Sequence, residues 1–217
     1  MSSICAISMK CSIMAIMMFV SLMLPQLAHA QTEPTGNKQF DTLRARFASG
    51  ELFHSQLNHS FIDSYTGDTL TTLGEVWIDR DRYKLSMRSG LVIVDGNTSH
   101  VYNSEKNQVI ISPYNADEDD YAPSRFLHGS LKEYKIKNGP SNGRNNIVVM
   151  TSDDPFALFS AIEIEIDDKA LPIRITAVDQ SGNTIISRFS FGTFLKPDAQ
   201  VFTLNYPKSA EIIDLRN

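Results

Sequence analysis

The sequence predicts a mainly β domain, a long antiparallel sheet that curls, with helices on one side. Three observations lead there. Gly74–Tyr102 reads as short strands in immediate succession: Tyr83, Leu85 and Met87 alternate with Lys84, Ser86 and Arg88, and Leu91–Val94 is a solid apolar run. Hairpin signals punctuate the chain at Thr66-Gly67-Asp68, Asp95-Gly96 and Gly182-Asn183. The strand candidates, about eleven in all, follow one another without the helices that a parallel sheet would need between them. A sheet that long tends to curl, and a curled but unclosed sheet needs its concave face covered.

The first thirty of the 217 residues read as an export signal rather than as part of the fold. Lys10 is their one charge, Ile13–Leu24 is apolar, and Ala28-His29-Ala30 has the small-residue form of a cleavage site, so cleavage is expected after Ala30. The segment is too short and wrongly flanked for a membrane span. Residues 31–217 then form one domain, large enough for a sizeable core.

After a loose leader, Lys38–Ser49 reads as a helix, with Phe40, Leu43 and Phe47 on one stripe and Gly50 as its stop. Leu52–Ser64 is a long strand candidate, with Phe53, Leu57 and Phe61 on one parity and His54 and His59 among its polar interruptions. Leu70–Ile78 follows, with Val76 and Ile78 opposite Glu75 and Trp77; Trp77 is taken as core. Asn107–Ser112 is a further strand, and Asp117–Asp120 is an acidic loop. Pro123–Lys132 reads as a second, short helix carrying Phe126, Leu127 and Leu131. Tyr134–Lys137, Ile147–Thr151, Ile162–Asp167, Pro172–Asp179, Thr184–Phe191 and Val201–Asn205 supply the later strands, with Ile212–Leu215 as a short edge strand.

Composition excludes several classes of function. Cys5 and Cys11 both lie in the leader, so the processed chain has no thiol chemistry and no disulfide. Loss of Lys10 takes the formal charge from −5 to −6, and without a basic stripe the chain is a poor nucleic-acid binder. His54, His59, His100 and His128 have no metal-ligand spacing, the Asp117–Asp120 run lacks the calcium-loop pattern, and there is no G-x-S-x-G or phosphate loop. Asp153-Asp154 and Glu163/Glu165 make no convincing acid–base pair. No enzyme, cofactor or metal is expected.

The order of segments is similar to that of a known family. An amphipathic helix and a long aromatic strand are followed by Gly74-Glu75-Val76-Trp77-Ile78-Asp79-Arg80, Val92-Ile93-Val94-Asp95-Gly96-Asn97 and Val101-Tyr102-Asn103. Pro123-Ser124-Arg125-Phe126-Leu127, Val178-Asp179-Gln180-Ser181-Gly182-Asn183 and Phe202-Thr203-Leu204-Asn205-Tyr206-Pro207 complete the series. Together, from Phe40 to Leu215, they resemble the periplasmic outer-membrane lipoprotein carriers, the LolA family. The resemblance implies an unclosed antiparallel β-barrel with a helical lid over an apolar cavity. It implies a periplasmic chaperone that takes acylated lipoproteins from an inner-membrane exporter to an outer-membrane acceptor, acting as a monomer. Arg80 falls on the position of an arginine that latches the lid, although Asp81 stands where the family usually has proline. Tyr83 falls on a phenylalanine and Leu85 on a frequent tryptophan.

On that resemblance Phe53, Leu57, Phe61, Val76, Ile78, Tyr83, Leu85 and Met87 are candidates for the acyl-chain cavity. Phe126, Leu127 and Leu131 would plug it when empty, and Arg80, with five donors, would hold the lid through its carbonyls. Plainer readings stand beside these: a packed core for the stripe, a solvated pair with Asp79 or Asp81 for Arg80, ordinary helix packing for the lid residues. Two other functions fit the same residues, a periplasmic carrier of another lipid or amphiphile and a lipoprotein-sensing regulatory domain. The sensor would be expected to carry a further partner-binding domain.

Overall fold

A computed structural model describes residues 34–116, 119, 127, 133–141 and 143–216. Helix α1, Lys38–Ala48, starts where Asn37 accepts the Phe40 N–H (3.0 Å) through its side chain. The Asn37 amide also donates to Asn138 Oδ1 (2.8 Å), which ties the helix start to the sheet. Asp41 in the first turn and Arg46 in the last complement the helix dipole. Gly50, at φ 82°, supplies the left-handed exit and donates its N–H to the Phe47 carbonyl. Phe40, Leu43 and Phe47 are fully buried, so the predicted stripe is the face that packs.

The described strands are β1 (Leu52–Ile62), β2 (Thr69–Ile78), β3 (Tyr83–Met87), β4 (Gly90–Val94), β5 (Thr98–Asn103) and β6 (Gln108–Pro113), followed by β7 (Lys135–Asn138), β8 (Asn146–Thr151), β9 (Phe159–Ile166), β10 (Pro172–Asp179), β11 (Thr184–Leu195) and β12 (Glu211–Asp214). They form one sheet in the order β12-β6-β5-β4-β3-β2-β1-β11-β10-β9-β8-β7. Two antiparallel meanders, β1–β6 and β7–β11, join where β1 pairs with β11, and β7 and β12 are the edges of an unclosed sheet. This is the open, mainly β architecture that the strand pattern predicts.

Sharp bends let the sheet curl. The β1–β11 register shifts between His54 and Gln56, and opposite that point Phe191 has φ 57°. A Cβ on the neighbouring Gly192 would lie 3.1 Å from the Phe53 ring. On the other side of β1, a Cβ on Gly74 would lie 2.3 Å from the Ser86 carbonyl oxygen, so only glycine allows β2 and β3 to approach there.

Two departures from expectation share a cause. The segment Val201–Asn205, read as a strand, instead contains the end of a 3-10 turn, Ala199–Phe202, capped by the Asp198 side chain on the Gln200 N–H. Its Val201, Phe202 and Leu204 pack with Trp77, Leu91, Ile93 and Leu52 in a second, smaller cluster. The chain thus crosses from β11 in the middle of the sheet to its β6 side before β12, and β12 enters parallel to β6 rather than antiparallel.

The β2–β3 turn is held from within. Asp79 Oδ1 accepts the N–H groups of Asp81 (3.1 Å) and Arg82 (2.9 Å), and Oδ2 accepts Arg82 Nε (2.8 Å). The Arg82 guanidinium also lies 4.5 Å over the Phe202 ring, so one arginine joins the turn to the smaller cluster. Asp79 is 6% exposed, whereas the Arg80 side chain is 59% exposed. Asp79→Ala should therefore destabilise the protein by about 2–3 kcal/mol, and Arg80→Ala by no more than about 0.5 kcal/mol, in urea unfolding. Equal losses would contradict this assignment.

Candidate functional site

The concave face of β1, β2, β3, β10 and β11 lines a cavity of about 210 Å³, bounded by Leu57, His59, Thr72, Val76, Leu85, Met87, Ile175, Ile185, Ser187 and Phe189. Strand pairing explains this set. Leu57 stands opposite Gly74 on β2 and Phe189 on β11, and Val76 opposite Leu85 on β3. Alternation then sends these side chains to one face.

One end of the cavity is an aromatic wall. Phe53 meets Phe189 edge-on (ring centroids 5.8 Å), Phe47 of α1 (6.3 Å) and Phe194 (5.2 Å, tilted). Phe40, Leu43 and Leu127 are fully buried in the same cluster as Val76, Ile78, Tyr83 and Val94. Helix α1 and Leu127 therefore occupy apolar space continuous with the cavity lining.

Of the eight residues expected to line an apolar cavity, Leu57, Val76, Leu85 and Met87 do so. Phe53, Ile78 and Tyr83 are buried in the adjoining core, and Phe61 packs against it half-buried. Leu127 is buried in that core, while Phe126 and Leu131 lie outside the described residues. Arg80 is exposed, 3.9 Å from Asp81. Trp77 is half-buried in the smaller cluster rather than in the main core, stacked on His54 (4.6 Å) with Lys84 Nζ 4.8 Å from its ring centroid.

Sequence reasoning missed Thr72, Ile175, Ile185, Ser187 and Phe189, and set His59 aside as a polar interruption. The signal was there: His59 shares the parity of Leu57 and Phe61, and Ser187 that of Ile185 and Phe189. His59 Nδ1 and Ser187 Oγ are 2.9 Å apart. Burial holds the His59 imidazole below its ordinary pKa of 6.5, so it is neutral at pH 7. Tyr83 donates its hydroxyl proton to Asp119 Oδ2 (2.7 Å), and burial, with the carboxylate beside it, raises its pKa so that it stays protonated. No group of three or more potential metal ligands occurs among the described residues, and no described helix is long and apolar enough to cross a membrane.

The His59 shift has a defined sign. The unfolded chain binds the proton more readily, so this contribution to stability is complete above pH 6.5 and is lost as pH falls through that value toward the lower folded pKa. The stability of the wild type relative to His59→Phe should therefore decline between pH 7.5 and about 5 in urea melts. A pH-independent difference would contradict a buried neutral imidazole.

No protein-family model matches the sequence, and no curated protein matches it. Solved structures do. An uncharacterized conserved protein from Thermus thermophilus is similar at a TM-score of 0.52 and 12% identity, over 81% of this chain and 97% of that one. A LolA superfamily protein from Nitrosomonas europaea matches at 0.42 and 9%, over 75% and 96% of the two chains. The Mycobacterium tuberculosis lipoprotein LppX matches at 0.37 and 13%, over 73% and 96%. At these identities the likeness is one of fold: an open, mainly antiparallel sheet with a helix against its apolar face.

Proposed function

We propose that this chain is an exported carrier that shields the acyl chains of lipoproteins between the inner and outer membranes. On this reading residues 1–30 direct export and are removed, and residues 31–217 act in the periplasm without catalysing a reaction. The exporter that loads the carrier and the acceptor that unloads it are its partners. The observation that supports this best is the apolar hollow in the concave face, about 210 Å³ and adjoined by buried Leu127 and α1.

Each methylene hidden from water gains about 0.8 kcal/mol, so a sixteen-carbon chain gains roughly 12 kcal/mol. Such a chain does not cross an aqueous space unescorted. The hollow is also smaller than the roughly 300–1,000 Å³ of ordinary ligand pockets. A long chain fits only if part of the apolar filling withdraws. Leu127 is the residue assigned to withdraw, together with its sequence neighbours Phe126 and Leu131. Because cargo must replace those contacts, net affinity falls well below the transfer energy, which permits release. Arg80 is the residue assigned to latch the lid, and Tyr83, which donates its hydroxyl to Asp119 Oδ2, is a further anchor.

Native mass spectrometry of the processed protein isolated from its own periplasm tests the reading. Bound acylated polypeptide is the expected result. Free lipid alone would make this a carrier of another amphiphile, and a protein that stays empty when offered a palmitoylated lipopeptide would contradict any carrier role.

A further inference from the structure

The hollow is not uniformly greasy. Thr72, His59 and Ser187 stand directly opposite one another on β2, β1 and β11, so they form a single polar row across three neighbouring strands. All three line the cavity. On one side of the row lie Leu57 and Phe189, and on the other Phe61 and Ile185, so polar groups interrupt an apolar floor at one level only. Packing alone would be served better by valine or leucine there, since polar groups withdrawn from water need partners.

The hydrogen-bonding capacity of this row fits one kind of ligand atom. Nδ1 of His59 is engaged with Ser187, which leaves Nε2 as the ring's second hydrogen-bonding atom. When the Ser187 hydroxyl donates to Nδ1, the neutral ring carries its proton on Nε2, and Thr72 adds a hydroxyl donor one strand away. In the other tautomer Nδ1–H donates to Ser187 and that hydroxyl becomes free to donate. Either way the row offers two donors and no net charge, which suits a carbonyl oxygen with its two lone pairs.

We propose that Thr72, His59 and Ser187 form a subsite for the carbonyl of an acyl ester or amide, with the hydrocarbon lying over Leu57, Val76, Leu85, Met87 and Phe189. This rests on the acyl-carrier reading and adds to it. The protein would select chains that bear a carbonyl and set their register in the hollow, rather than accept any hydrocarbon of the right length. The shared chemistry is the acyl carbonyl, whether it belongs to a lipoprotein or to a membrane glycerolipid.

The test uses the processed full chain and two fluorescent probes, a pyrene-tagged ten-carbon acyl methyl ester and the ether of equal length that lacks the carbonyl. The wild type should bind the ester about tenfold more tightly. Thr72→Val, Ser187→Ala and His59→Phe should each bring the ratio of ester to ether affinity toward one, with urea melts showing that each variant folds. Equal binding of the two probes by the wild type, or a preference that survives all three substitutions, overturns the subsite and leaves the carrier reading standing. Binding of neither probe overturns both. Displacement of the ester by a diacylglyceryl lipopeptide assigns the carbonyl to a lipoprotein, and displacement by dioleoylglycerol assigns it to a free lipid. Displacement by neither counts against the subsite.

Discussion

A curled sheet with an apolar inner face must be covered, and every other feature of this molecule answers that requirement. An antiparallel sheet can leave one face to water only if the other is packed. Here the inner face carries Phe53, Leu57, Val76, Ile78, Leu85 and Phe189, and α1 supplies Phe40, Leu43 and Phe47 against part of it. Fully covered, the face would be an ordinary core. Its cover falls short by about 210 Å³, and the shortfall is concentrated on the strands β1, β2, β3, β10 and β11. A protein interior normally packs as densely as an organic crystal, so a gap of this size forfeits contacts that the fold would otherwise gain. Recovering those contacts with a guest molecule is the physical basis of the proposed transport.

The helical part of the cover is held at both ends. Helix α1 is capped by Asn37, anchored through Asn138 and closed by Gly50. The Arg46 guanidinium lies 3.8 Å over the Phe194 ring and also bonds Glu51, fastening the far end. That helix behaves as a fixed end wall. Leu127 is buried in the same cluster as the apolar face of that helix, and Tyr83 donates a hydrogen bond to Asp119.

Much of this was legible in the residues. The period-2 runs and turn signals located most strands to within a few residues, and Pro172–Asp179 coincides with its prediction. The stripe of Phe40, Leu43 and Phe47 was readable because a helix face repeats within a short window. What failed depended on contacts distant in sequence. Val201–Asn205 has strand-like composition, but its apolar side chains are used against Ile93 and Trp77 in a crossing segment. The role of Arg82, which places two donors on Asp79 Oδ2 within the β2–β3 turn, carried no motif to mark it. His59 looked like an interruption within β1 alone. Only the register against Ser187 and Thr72 turns it into part of a row.

Whether the hollow enlarges by giving up its own filling can be read from hydrogen–deuterium exchange with and without a bound palmitoylated lipopeptide. On loading, peptides from β1 and β11 should gain protection, the peptide carrying Leu127 should lose it, and α1 should stay unchanged. Bound lipopeptide with no loss of protection around Leu127 would contradict the displacement of filling by cargo.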